Sequence, residues 1–304
     1  MDETGKAGTN RAMAEEIESL KERLGVLEHN LAERYKGPKV PTSPVGDYRV
    51  VVKDSGDPGY VNKLLVGTAT TGLVRIEWVM GRYGQIVPPN WSMVQMNQYL
   101  NAYVPLRYQV DDAQNLIVRE AIRGEFEWLL LVEHDVILPP DAFRQLGDYM
   151  RKRDTPVVSG LYYSRSRPSE PLMYRGRGTG FYGDWEFGDK VWVDGVPTGC
   201  LLIHCGILRE MWKDSEIYYI QHPDGRRDEA RKVFSTPRRS WYDPETQQFN
   251  TNTGTSDLDW CTRVMKGGYL EKAGWEEHQE MEFPFLVDTN IFCKHIDKDG
   301  TQYP

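Results

Sequence analysis

The sequence predicts an α/β fold, a mostly parallel central sheet flanked by helices, with an N-terminal coiled-coil helix in front of it. Three observations carry this expectation. Trp128 to Val132 reads WLLLV, an unbroken apolar run with the length and composition of a strand buried on both faces. Strand-like runs alternate with helix-period segments, KLLVG then DAQNLIVREAIR then WLLLV, and this βαβ rhythm implies parallel strands. Between residues 13 and 31 the apolar positions follow a heptad.

Residues 1–10 are small and polar. Met13, Ile17, Leu20, Leu24, Leu27 and Leu31 then recur at spacings of 4 and 3 in turn, with Ile17, Leu24 and Leu31 at a and Met13, Leu20 and Leu27 at d. The stripe is a/d and no wider, as in a seam between chains. Gly25, on the outer face, costs about 1 kcal/mol relative to Ala. Residues 1–36 are therefore expected to form a homo-oligomerising helix, with a dimer as the first expectation. Residues 37–62, punctuated by Gly37, Pro38, Pro41, Pro44, Gly46, Gly56, Pro58 and Gly59, read as a linker with at most a short strand at Tyr48 to Val52. The main domain spans 63–304.

Within it, Lys63 to Thr70 reads as the first strand and its exit loop, with Thr68, Thr70 and Thr71 at the carboxyl end. A helix follows over Gly72 to Met80. Tyr103 to Gln109 reads as a further strand that Pro105 confines to an edge or a loop. Asp112 to Arg123 is a helix with Asp111 or Asp112 as its cap. After the central strand come a helix over Asp141 to Arg151, with Phe143, Leu146 and Met150 inward, and a strand over Pro156 to Leu161. Arg175 to Asp189 is too Gly-rich for a regular element and suits a mobile loop over a site. Val191 to Asp194 and Gly199 to His204 are strands about a Gly-Val-Pro-Thr-Gly turn, and Gly206 to Trp212 is a short helix. Residues 221–255 read as one long irregular segment, basic at first, either solvated or binding an acceptor. Ser256 opens a helix that stops at Gly267-Gly268. Phe285 to Phe292 is the last long strand, and His295 follows it.

Composition narrows the function classes. The 304 residues suffice for one large or two ordinary domains. A net charge of −8 argues against general nucleic-acid affinity. No apolar run approaches about 18 residues, and the N-terminus has no signal-peptide pattern, so a soluble, cytoplasmic protein without a membrane span is expected. Cys200, Cys205, Cys261 and Cys293 lack CxxC spacing and read as reduced, buried thiols. The 9 Trp and 17 Tyr serve a core first and a sugar or base site second.

The chemistry concentrates after WLLLV. Ligands of open α/β sheets bind beyond the carboxyl ends of the strands, where Glu133-His134-Asp135 stands. Two carboxylates two residues apart offer hard oxygen ligands to Mn²⁺ or Mg²⁺. Read structurally, the same residues are a polar strand terminus. Asp257 and Asp259 likewise read structurally as first-turn acids, each favouring the helix dipole by roughly 0.3 to 1 kcal/mol.

Four stretches in order, NLIVREAIRGEFEWLLLVEHDVILPPDAF, DGVPTGCLLIHCGILREM, TSDLDWCTRVMKGGY and NIFCKHID, resemble the GT-A nucleotide-sugar glycosyltransferases, particularly the family-2-like group. The resemblance covers about residues 63–298 and implies a Rossmann-like GT-A domain. It matches Glu133 and Asp135 to the family's Asp-x-Asp pair. Asp135 would then ligate the metal, and Glu133 the metal or the ribose. It matches Asn115 to the Asn of an Arg-Asn pair, with Gln114 in place of Arg. It matches Gly199 to the glycine of the following strand, Asp257 to the second acid of an Asp/Glu-Asp motif with Ser256 in place of the first, and His295 to a late metal ligand. Thr68, Thr70, Asn115, Glu133 and Gly199 would contact the donor.

The implied reaction is metal-dependent transfer of a sugar from a nucleotide diphosphate-sugar to a hydroxyl acceptor. Positive charge develops at the anomeric carbon and negative charge on the leaving diphosphate, which a divalent ion stabilises. Two carboxylates and an imidazole favour Mn²⁺ over Mg²⁺. Asp257 is the base if the reaction inverts, and orients the acceptor or flanks the sugar if it retains. Two alternatives stand beside it. A sugar-phosphate nucleotidyltransferase is expected to carry a Gly-rich basic signature by the first strand, which GTATTGLVR matches poorly. A GT-A-like carbohydrate-binding or scaffold protein without activity would tolerate the departures at Glu133, Gln114 and Ser256.

Overall fold

The structure is a computed structural model that describes residues 16, 18–21, 23, 48–50, 63–87, 99, 101–176, 180–222 and 225–304. The chain divides into two compact units, Met1–Val40 and Pro41–Pro304. In the first, the described residues between 16 and 23 are helical and exposed, and Leu20 is among them. Met13, Ile17, Leu24, Leu27 and Leu31 lie outside the described residues, so the seam is not part of the description, and most of the linker lies outside them too.

The second unit is built on one sheet of eight described strands. These are β1 (Tyr48–Val50), β2 (Leu64–Gly67), β3 (Ala102–Val104), β4 (Trp128–Val132), β6 (Val157–Leu161), β7 (Lys190–Val193), β8 (Cys200–His204) and β13 (Phe285–Phe292), in the order β1-β3-β2-β4-β8-β6-β13-β7. The parallel pairings are β2 with β3, β2 with β4 and β6 with β13. β8 runs antiparallel between β4 and β6, and β1 and β7 are antiparallel edges, so the sheet is mixed. A fully apolar strand is equally at home in either direction, and CLLIH carries no mark of its polarity.

Alternation along the strands divides the core in two. Leu129 and Leu131 face a cluster with Ile117 and Ala121 of helix α2 (Val110–Arg123), Leu208 of α4 (Cys205–Asp214) and Trp260 of α5 (Ser256–Lys266). Trp128, Leu130 and Val132 face the other, with Trp78 of α1 (Ile76–Tyr83) and Phe143 and Leu146 of α3 (Ala142–Lys152). All five residues of β4 are buried. At 25 cal/mol per Å² such burial is the main term holding the layers together.

Several boundaries differ from expectation. β3 ends at Val104, because Pro105 cannot donate to the ladder, and it lies inside the sheet, flanked by β1. Helix α2 starts at Val110 with Gln109 in the cap position. Asp111 and Asp112 instead fall in the first turn, where Asp111 accepts the Thr236 amide at 3.1 Å and Asp112 the Tyr218 hydroxyl at 2.8 Å. Residues 221–255 are not irregular. β9 (Ile217–Gln221) pairs with β10 (Arg227–Arg231), and β11 (Arg238–Asp243) with β12 (Gln248–Thr253). The first turn carries a Pro-Asp-Gly signal with Gly225 at φ 84°, and the second is closed by Asp243, which accepts the amides of Glu245 and Thr246. The two ends of the Gly-rich segment lie against the sheet edge, with the Arg175 guanidinium donating to the Trp192 carbonyl and the Gly188 amide to the Thr289 hydroxyl. No helix among the described residues is long and apolar enough to cross a membrane.

Candidate metal centre

Strand register assembles the site. Gly67 pairs with Leu131, so Thr68–Thr70 and Glu133–Asp135 leave the sheet side by side. Val132 pairs with Cys200, and because β8 is antiparallel the preceding Thr198 and Gly199 arrive at the same edge. His295 reaches it through a small second sheet. β14 (Lys294–Ile296) pairs with β5 (Val136–Ile137), setting His295 opposite Val136, one residue beyond Asp135. β15 (Gln302–Tyr303) completes that sheet.

The acidic turn is tied at every residue. The Glu133 amide donates to the Gly199 carbonyl at 3.1 Å, and the Glu133 carbonyl accepts from Trp78 Nε1 at 2.8 Å. His134 Nδ1 bonds the Ala69 carbonyl at 3.2 Å, and the Asp135 carbonyl accepts the Ile296 amide at 2.8 Å. Such backbone anchoring fixes the directions of the side chains without using their carboxylates.

Glu133, Asp135 and His295 each present an atom able to ligate a metal, and these atoms all lie within 4.8 Å of one another. His295 Nε2 stands 3.9 Å from Asp135 Oδ2. Its Nδ1 bonds the Tyr163 carbonyl at 2.8 Å, which places the proton on Nδ1 and leaves the Nε2 lone pair facing the carboxylates. Burial lowers the pKa of His295, which keeps it neutral. The Tyr162 ring braces the imidazole edge-on, centroids 5.2 Å apart. Glu133 Oε1 accepts from Thr198 Oγ1 at 2.8 Å, and Thr198 in turn accepts from Gln114 Nε2 at 3.2 Å. Gln114 thus acts on Glu133 through one hydroxyl.

Crowding of acids sets the protonation. Burial, then the charge of Asp135, pushes Glu133 up to about 7, with Asp257 adding and the Thr198 hydroxyl opposing. Burial also raises Asp257, against hydrogen bonds from Thr255 and the Leu258 amide. Asp257 lies in the first turn of α5, whose first turns pack on the turn before β8 through Cys261 and Val196. The neighbouring Leu258 lies over Gly195 of that same turn, which brings the start of α5 to the segment that delivers Thr198 and Gly199.

A cleft of about 240 Å³ opens beside the acids, lined by Ala69, Thr70, Thr71, Tyr108, Val110, Glu133, His134 and Asp135. Thr70 therefore faces it, whereas Thr68 is buried at the strand end with its amide donated to Tyr103. Asn115 is not brought to the site. Its amide donates to the Tyr218 hydroxyl and the Phe234 carbonyl and accepts the Phe234 amide, so it clamps α2 to the β9–β10 region. Gly199 contributes its carbonyl and its lack of a side chain, since a Cβ there would stand 2.2 Å from the Tyr162 hydroxyl. Sequence reasoning missed Thr198, Tyr162, Tyr108 and Arg165, which no motif marks. Only the position of Thr198 next to Gly199 hinted at it.

No family model matches the chain, and no curated protein does. Among solved structures the chain is similar to A197 from STIV, with a TM-score of 0.45 and 13% identity over 79% of this chain and 93% of that one. It is also similar to TarS of S. aureus, with a TM-score of 0.32 and 13% identity over 52% of this chain and 30% of that one.

Proposed function

We propose that the chain is a metal-dependent glycosyltransferase that moves a sugar from a nucleotide diphosphate-sugar to a hydroxyl acceptor. The observation that carries this reading is the convergence of Glu133, Asp135 and His295 on one point beside the cleft. The donor set fits a divalent ion. It has two carboxylates and a neutral imidazole whose free Nε2 lone pair faces them, a mixed oxygen and nitrogen set suited to Mn²⁺. When bound, the ion would supply charge to the diphosphate as the sugar–oxygen bond breaks and its electron pair passes to the β-phosphate oxygen.

The protein's own groups do the rest. Asp135 and His295 would hold the ion, and Glu133, steadied by Thr198, would hold the ion or the ribose. Thr70 and Tyr108 would bound the donor in the cleft. The acceptor oxygen would attack the anomeric carbon and give its proton to Asp257, a carboxylate whose raised pKa suits a general base. Manganese-dependent release of nucleoside diphosphate from a panel of nucleotide-sugars tests the reading. Turnover of one donor, abolished in Asp135→Ala, is expected. Turnover unaffected by chelation or by Asp135→Ala would overturn it.

A further inference from the structure

Arg165 is the cation at the acidic edge that the proposed reaction leaves without a role. It lies in the loop after β6, and its side chain is 43% exposed. One nitrogen, Nη1, stands 3.1 Å from Asp135 Oδ2 and 3.2 Å from Asp297 Oδ1. The Asp135 oxygen it touches is the same one that lies 3.9 Å from His295 Nε2. The guanidinium is therefore paired with the Asp135 oxygen that faces His295, where a shared metal ion would compete with it. Asp297 is a built resting place, since its other oxygen accepts the Tyr303 hydroxyl at 2.9 Å and its backbone amide is bonded to Thr301. Among the described residues, Nε and Nη2 of Arg165 make no hydrogen bond, and the side chain is partly exposed.

We propose that Arg165 is the diphosphate-binding side chain of this site, resting on Asp135 until a divalent ion is bound and then held by Asp297 with its fork toward the donor. This rests on the glycosyltransferase reading above. The chemistry favours it on two counts. Asp135 and Asp297 leave this edge acidic, which favours a cation beyond the metal where an anionic diphosphate is to sit. A guanidinium also matches two phosphate oxygens at once, which an ammonium cannot do. An exposed ion pair that merely pins a loop would be worth little by comparison.

The test uses the full chain, calorimetry and thermal unfolding. MnCl₂ is titrated alone. UDP, GDP, ADP and dTDP are then titrated at saturating Mn²⁺, with the matching nucleosides as phosphate-free controls. For Arg165→Gln, Mn²⁺ alone is expected to bind as tightly as to the wild type or more tightly, because a competing cation is gone. The preferred diphosphate is expected to bind roughly 10- to 100-fold more weakly, with nucleoside binding and Tm unchanged. Arg165→Lys should fall between. A diphosphate affinity within about threefold of the wild type, or Mn²⁺ affinity and Tm falling together, would overturn the proposal in favour of a loop-pinning ion pair. Wild-type protein that binds Mn²⁺ but no diphosphate overturns the role of Arg165 and leaves the metal site standing. Wild-type protein that binds neither removes the glycosyltransferase reading, and Arg165 with it.

Discussion

Gly199→Ala should damage the site through one side chain, and the structure shows how. A Cβ at residue 199 would lie 2.2 Å from the Tyr162 hydroxyl oxygen, 2.4 Å from its Cζ and 2.7 Å from Val136 Cγ2, where ordinary contact begins at 3.4 Å. The ring would have to withdraw by more than an ångström, and at 2% exposure it has nowhere open to go. The 2.7 Å bond from the Gly199 amide to the Tyr162 hydroxyl would be lost with it. Overpacking costs about 1 to 3 kcal/mol and the hydrogen bond about 1 more, so a loss of roughly 2 to 4 kcal/mol is expected. Urea unfolding should show a lower midpoint at unchanged slope. Because Tyr162 braces His295, Mn²⁺ affinity should fall as well. Adding Tyr162→Phe removes the nearest atom and should recover part of both losses. A Gly199→Ala protein within about 0.5 kcal/mol of the wild type, with normal Mn²⁺ binding, would show that the Tyr162 ring is free to move aside.

Other variants separate scaffold from chemistry. Asn115→Ala leaves the buried Phe234 amide without its partner and should cost roughly 2 to 4 kcal/mol in denaturant unfolding, while nucleotide affinity in the remaining folded protein stays unchanged. Asp257→Asn keeps a good first-turn residue, so stability should change by well under about 1 kcal/mol while turnover falls about 100-fold or more and donor binding persists. In steady-state assays Asp259→Asn should be milder, since Asp259 faces Arg263 instead. His204 is held neutral by burial, its pKa lowered from 6.5 to about 4, and its Nδ1 accepts from Gly206 and Trp275. Protonation therefore favours the unfolded chain. His204 costs no stability above pH 6.5, and up to roughly 3 kcal/mol is lost as pH falls from 6.5 through about 4. The stability advantage of wild type over His204→Asn should shrink across that window, and a pH-independent difference would show that His204 does not titrate there.

What sequence could and could not say about this chain follows from the range of each interaction. WLLLV and its acidic end were readable because burial on both faces leaves a continuous apolar run, and ligand sites follow strand ends. The direction of β8 was not, since CLLIH is buried whichever way it runs, yet that direction brings Thr198 and Gly199 to the site. Asp257 could be placed at a helix start, but its burial beside Glu133 depends on α5 packing against the turn before β8. His295 could be singled out as a residue type, whereas its position depends on the short β5–β14 pairing. Asn115 shows the limit of matching a residue type alone. The resemblance matches it to the Asn of an Arg-Asn pair and implies a donor contact, but a buried amide satisfies backbone groups equally well, and here it bonds Phe234. The hairpins between 217 and 253 were hidden by their charge, although the Pro-Asp-Gly turn was in plain view. Arg165 could not be found at all, because its partners are 30 and 132 residues away in the chain.

The proposed reaction needs one divalent ion held by Asp135 and His295, with Glu133 beside them on the ion or the ribose. Electron paramagnetic resonance of free Mn²⁺ titrated with protein tests it most directly, because bound ion leaves the free-ion signal. One Mn²⁺ per chain is predicted for the wild type and for Asp257→Asn, with binding lost in both Asp135→Ala and His295→Ala. A wild-type protein that takes up no Mn²⁺, or variants at Asp135 and His295 that bind it as the wild type does, would rule out this metal site.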